Sequence, residues 1–168
     1  WNNFFVSFFV QGIAKRDFWP GADNSLFWGP YNRPYSWQPQ EVMDNIWSEE
    51  NPDAYFPRLR GYTALNSRAE LQVVQSKYLQ NAAYIRLKNI TLGYNLPASL
   101  LSKAGIANAR IYATGQNLWT WSPMYKYMRT MDPEVIEGSD PELNSGSGNG
   151  MSYPMLKTYT IGINVTFK

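Results

Sequence analysis

The sequence predicts an all-β chain, a segment of a transmembrane antiparallel β-barrel carrying two long extracellular loops. Three observations carry that expectation. Residues 156–168 (LKTYTIGINVTFK) alternate to the end, with Tyr159, Ile161, Ile163, Val165 and Phe167 in one phase and Thr158, Thr160, Gly162, Asn164 and Thr166 in the other. Successive side chains of a strand point to opposite faces, so this segment has one apolar face and one small polar face. Residues 1–14 repeat the pattern, with Phe4, Val6, Phe8 and Val10 set against Phe5, Ser7, Phe9 and Gln11. All 13 acidic residues lie within 15–75 and 122–155, and residues 1–14, 76–121 and 156–168 contain none. An unpaired carboxylate is costly in hydrocarbon, which explains the exclusion if the strands cross a bilayer. Alternation alone leaves open a soluble sandwich, in which the apolar face meets a protein core and not lipid.

Composition narrows the classes further. A chain of 168 residues with 44% hydrophobic and 16% aromatic content suits one domain. A formal charge of +2 without any basic run argues against nucleic acid as a partner. No apolar run approaches the roughly 18 residues of a membrane helix, and no signal peptide opens the chain, so any span must be β. Trp1 falls where a strand is already under way. The chain is therefore expected to be the tail of a longer protein.

Strand one is expected at about residues 3–14. The following segment, 15–75, is punctuated by Pro20, Pro30, Pro34, Pro39, Pro52 and Pro57 and holds 11 of the 27 aromatic residues, so it reads as a long loop. Within it Gln38–Ser48 fits a short helix, with Pro39 in the first turn and Val42, Ile46 and Trp47 on one side. Strand two, about 82–96, keeps Ile90, Leu92, Tyr94 and Leu96 in one phase but Ile85 and Leu87 in the other, which calls for a bulge near Lys88 and Asn89. Pro97 stops it, and residues 97–107 form a short turn in which Ala98–Gly105 makes one or two helical turns closed by glycine. Strand three, about 108–120, runs into Trp119 and Trp121, a pair suited to a membrane interface. A second loop, 122–155, has SGSGNG (145–150) as a flexible tip, and strand four covers about 156–167. Outer-membrane barrels place long loops outside and short turns in the periplasm, so the order long, short, long leaves the carboxyl terminus periplasmic.

Four strands cannot close a barrel, because single-chain barrels begin at about eight. The missing strands come either from a larger parent chain or from several copies sharing one pore. The residues favour the first. WSEENPDAYFPR (47–58), YIRLKNITLGYNLP (84–97), ARIYATGQNLWT (109–120), Asp132–Glu134 and Tyr153–Phe167 resemble the carboxyl-terminal region of the SusC/RagA-type TonB-dependent outer-membrane transporters, in order and over nearly the whole chain. The resemblance implies the last four strands of a large plugged barrel, consistent with the roughly 22-stranded transporters. It further implies import of oligosaccharides, or of peptides, across the outer membrane of a Gram-negative bacterium. A SusD-like surface lipoprotein would lid the mouth, and energy would come from TonB through a region preceding this segment. A passive oligomeric pore and a soluble carbohydrate-binding sandwich are the alternatives. Lys168 departs from the family, whose barrels commonly end on an aromatic residue; here Phe167 is penultimate.

Catalysis has few candidates. The sequence lacks histidine and cysteine, removing the commonest general base, thiol nucleophiles and the usual zinc ligands from this segment. No catalytic residue, enzymatic activity or cofactor is expected. The carboxylates Asp132, Glu134, Glu137, Asp140 and Glu142 offer hard oxygens for calcium, although their spacing matches no calcium loop and a solvated acidic loop is the simpler reading. Ligand or partner contact is assigned to Trp19, Trp28, Tyr31, Tyr35 and Trp37, with Asn24 and Asn32 as nearby hydrogen-bonding groups. The alternative for these aromatics is packing of the loop onto itself. Arg86, Lys88 and Arg110 are expected to face the lumen or lie near an interface, pairing with a plug or lining the path. Phe4, Val6, Phe8, Val10, Tyr159, Ile161, Ile163, Val165 and Phe167 are assigned to lipid, and Ser7, Gln11, Thr158, Asn164 and Thr166 to the lumen.

Overall fold

The computed structural model describes residues 3–21, 24–31, 35, 38–60, 73–136 and 152–168. Its strands are β1 (Phe4–Ile13), β2 (Asp17–Phe18), β3 (Ile46–Trp47), β4 (Phe56–Arg58), β5 (Gln80–Asn81), β6 (Tyr84–Asn95), β7 (Ile106–Trp121) and β8 (Thr158–Phe167). The chain divides into two compact units.

One unit comprises residues 1–12, 85–121 and 155–168 and consists of a four-stranded sheet in the order β1-β6-β7-β8. The pairs β6–β7 and β7–β8 are antiparallel. Register aligns Leu92, Ala113 and Ile161 across three strands, and Tyr94, Ile111 and Ile163 likewise. These rows form the apolar face, where Phe4 packs on Tyr94 with ring centroids 4.6 Å apart. Side chains there are open to the surroundings, Phe8 at 70% and Ile161 at 82%. The short connection between β6 and β7 is a helical turn, Ala98–Leu101, followed by a 3-10 turn and closed by Gly105 in the left-handed region at φ 66°. That conformation suits a residue without Cβ.

The bulge lies at the level of Lys88, yet its extra residue belongs to β7. Between the pairs Leu87↔Trp119 and Asn89↔Gln116, Lys88 stands opposite both Asn117 and Leu118. Asn117 takes φ 52°, a conformation that asparagine tolerates better than most residues. β6 itself alternates without interruption.

The other unit comprises residues 13–84 and 122–154. β2 pairs antiparallel with β5, and β3 pairs parallel with β4. The helix expected over Gln38–Ser48 is shorter than its pattern suggested. Pro39 caps rather than begins it, the helix spans Gln40–Met43, and Ile46–Trp47 turns extended to pair with Phe56–Arg58. Such a short helix draws little stability from its own hydrogen bonds, so tertiary pairing decides its end. Val42 from this turn, Phe18, Phe27, Trp28, Phe56 and Tyr78 from the first segment, and Met124, Met128, Met131 and Ile136 from the second build one core.

Candidate functional site

Polar side chains gather on the face of the sheet opposite the apolar rows. Register aligns Asn89, Gln116 and Thr158; then Thr91, Thr114 and Thr160; then Gly93, Tyr112 and Gly162; then Asn95, Arg110 and Asn164. The Thr158 hydroxyl donates to Gln116 Oε1 at 3.2 Å, and the Thr91 and Thr114 hydroxyls lie 2.9 Å apart in a shared hydrogen bond. Cross-strand pairs of this kind hold register as well as presenting donors and acceptors. The third row alternates bulk and space. A Cβ on Gly93 would fall 2.1 Å from Phe5 Cε1, and one on Gly162 would fall 2.3 Å from Tyr112 Cζ. Each ring therefore lies directly on the glycine of the neighbouring strand.

Arg110 stands in the fourth row. Its Nε donates to Asn95 Oδ1 at 2.9 Å, and its guanidinium carbon lies 4.6 Å from the centre of the Phe5 ring. Planar guanidinium on an aromatic face is a favourable stack. Arg86 is placed differently. It is buried, its Nε donates to Thr120 Oγ1 at 2.7 Å, and alternation along β6 puts it and Lys88 in the phase of Ile90 and Leu92. Of the three basic residues singled out by sequence, Arg110 alone shares the polar phase. Ser7 and Gln11 on β1 occupy the phase of Phe5, while Thr166 on β8 occupies that of Asn164.

The aromatic residues of the second unit take the packing role. Trp19, Trp28 and Tyr31 are buried, with Trp28 at 0% exposure. The indole N–H of Trp28 donates to the carbonyls of Pro20 and Gly21, and the Tyr31 hydroxyl donates to the Pro57 carbonyl. Their assignment to ligand or partner contact is corrected accordingly: a loop of this length needs apolar groups to bury, and these three supply them. Tyr35 is 85% exposed and stays available for contact. Trp37 and Asn32 lie outside the described residues. Asn24 is buried, its side-chain oxygen accepting the Phe27 N–H at 3.0 Å to cap the helical turn Ser25–Trp28 and its amide nitrogen donating to Met131 Sδ at 3.5 Å.

Contacts between the two segments of this unit are specific. Arg16 donates from its guanidinium to the carbonyls of Pro133, at 3.1 Å, and Ile136. Tyr55 and Tyr127 stack face to face at 3.8 Å, with Lys77 over the Tyr55 ring and Lys126 over the Tyr127 ring. Burial raises the phenol pKa of Tyr31, Tyr55 and Tyr78. The stack escaped sequence reasoning, since Tyr55 and Tyr127 are 72 residues apart in the chain. The alternating Phe5, Gly93, Tyr112, Gly162 row was also missed, although glycines inside two polar-phase strands were a usable signal.

Among the calcium candidates, Asp132 is buried and its side chain accepts the Glu134 N–H at 2.9 Å. Glu137, Asp140 and Glu142 lie outside the described residues. Among the described residues no group of three or more potential ligands is placed to hold a metal ion.

No family model matches the chain. A TonB-dependent receptor of Formosa agariphila is 32% identical over 169 residues, covering 99% of this chain and 16% of that protein. TonB-dependent receptor SusC of Bacteroides thetaiotaomicron is 32% identical over 107 residues, covering 62% of this chain and 9% of SusC. A solved structure of the RagAB peptide transporter superposes with a TM-score of 0.65 at 26% identity, covering 98% of this chain and 16% of that one. The chain thus spans less than a fifth of the proteins it matches.

Proposed function

The chain belongs to the SusC/RagA-type TonB-dependent receptors and forms part of their barrel, and from that premise we propose that it serves TonB-dependent import of oligomeric nutrients across the outer membrane of a Gram-negative bacterium. The observation that carries the proposal is the sheet itself, apolar and open on one face and polar on the other. In a transmembrane barrel strands alternate apolar-out and polar-in, so Phe4, Val6, Phe8, Val10, Tyr159, Ile161, Ile163, Val165 and Phe167 meet lipid and the rows through Thr114 and Arg110 line the lumen. The long segments 15–75 and 122–155 then lie outside the cell, and the turn at 97–107 and the carboxyl terminus lie in the periplasm.

The lumenal rows offer hydroxyls, amides and aromatic faces. That chemistry suits oligosaccharides, which we favour, and also accommodates peptide backbones; the similarity to the RagAB peptide transporter keeps peptides in the substrate class. A SusD-like surface lipoprotein closes the mouth, and no enzymatic step is assigned to the chain. The test is to purify the full-length protein from outer membranes, determine its native and denatured mass, and identify what accompanies it. A denatured chain several times heavier than 19.3 kDa, together with a surface lipoprotein, is the expected result. A 19.3 kDa chain in an oligomer would replace the importer with a shared passive pore.

A further inference from the structure

We infer that the apolar face of the sheet holds one particular lipid of the outer leaflet, a phosphorylated and multiply acylated glycolipid, with an acyl chain in a channel over β7 and a phosphate between Lys88 and Lys157. This inference rests on the barrel reading above and adds a specific ligand to the face that meets lipid.

The channel follows from the sizes of the side chains. Register sets Ile90, Gly115 and Tyr159 in one row and Leu92, Ala113 and Ile161 in the next, so small residues on the central strand lie between larger ones on both neighbours. The space between them is about 340 Å³. Leu118 closes one end, lying over Gly115 so that a Cβ there would fall 2.5 Å from Leu118 Cδ1. A channel one strand wide touches an extended hydrocarbon chain on three sides, which gains dispersion contacts that a flat face does not offer.

The charge stands one row further toward the cell exterior. Lys88 lies opposite Asn117 and Leu118, and alternation along β6 puts it in the phase of Ile90 and Leu92, on the lipid side and not toward the lumen. Lys157 precedes Thr158 and continues the phase of Tyr159, while Asn117 Nδ2 donates to the Leu156 carbonyl at 3.0 Å and holds that approach to β8 level with the bulge. The two lysines therefore flank Leu118 from the strands on either side, with backbones roughly 10 Å apart by ordinary strand spacing. From Phe167 up to Tyr159, β8 covers roughly 21 Å of membrane depth at about 3.4 Å per residue and a tilt of about 40°. The lysine row comes next, at the rim of an apolar band roughly 25 Å tall, where headgroups begin. Residues 1–12, 85–121 and 155–168 contain no aspartate or glutamate. Two cations at headgroup depth, above an apolar channel and on strands without acid, complement a phosphate whose acyl chain runs down that channel.

The experiment titrates the full-length receptor, purified in detergent and stripped of native lipid, with lipid A under native mass spectrometry. Phosphorylated lipid A should bind roughly 30-fold more tightly than its dephosphorylated form, the combined effect of two lysines at about fivefold each. Lys88→Gln with Lys157→Gln should erase that preference, and Lys88→Arg with Lys157→Arg should keep it. Ala113→Phe fills the channel and should weaken binding of both forms. Equal binding of the two forms, a preference that survives the double glutamine variant, Ala113→Phe without effect, or displacement of lipid A by an equal concentration of phosphatidylglycerol would each overturn the proposal. The comparison of the two lipids needs no substitution, so a poorly folding variant leaves the decision intact. Heat-shifted electrophoretic migration reports the barrel separately, so a folded barrel without the phosphate preference sinks this inference and leaves the importer standing.

Discussion

Gly93 shows how much a single missing Cβ organises. The Phe5 ring fills the space above it, and that ring in turn carries the guanidinium of Arg110. A larger residue must push the ring aside, which costs packing at two positions. Gly93→Val is expected to destabilise the folded receptor by roughly 1–3 kcal/mol, in the range of overpacking substitutions. The check is a lower thermal unfolding midpoint in detergent, and an unchanged midpoint would mean that Phe5 relocates freely. At this scale sequence told part of the story. The phase of Phe5, Gly93, Tyr112 and Gly162 was readable from alternation, but that each ring covers the next strand's glycine depends on register, which no single strand encodes. Trp28 and Tyr31 were harder: aromatic residues in a long loop suit a core and a binding surface equally, and only the pairing of distant segments buries them here.

Among the elements, the sheet strands were the most legible, because period-two alternation and the absence of acid both follow from having one face in an apolar medium. The bulge was legible in its level and not in its strand. Conflicting phases along β6 signalled an irregularity, and the extra residue proved to be in β7, where Asn117 accommodates the left-handed conformation. The helix over Gln40–Met43 was overextended in the sequence reading because Ile46 and Trp47 fit a helical side as well as they fit a strand. The apolar face of β8 permits a direct test. Ile163 pairs with Ile111 on that face and is 64% exposed. Ile163→Arg places a charge in lipid at a cost of about 2–4 kcal/mol near the bilayer midplane, so assembly into the outer membrane should fall. Thr160→Arg, on the same strand but in the polar row of Thr91 and Thr114, should assemble nearly normally. Equal assembly of the two variants, measured as heat-shifted protein in the membrane fraction, would contradict the assignment of faces.

For the molecule as a whole, the described parts of the long connections share one core. Two segments separated by more than 35 residues of strand and turn share a core in which Met124, Met128 and Met131 pack among the aromatic residues of residues 18–78. Arg16 reaches the backbone of the second segment, and the Tyr55–Tyr127 stack joins the two again. Sequence could not show this, since methionine and tyrosine in a connection carry no period that names their partner. One shared core makes a cooperative unit, whose parts open together. Trp28→Ala empties the centre of that core and should cost about 3–5 kcal/mol, as large-to-small changes at fully buried aromatic positions do. Limited proteolysis of the full-length receptor should then cut within both 38–60 and 122–136, faster than in the parent protein and at similar rates. Cleavage confined to the first segment would show that the second holds its fold without the first, and the shared core would be an association of two independent pieces.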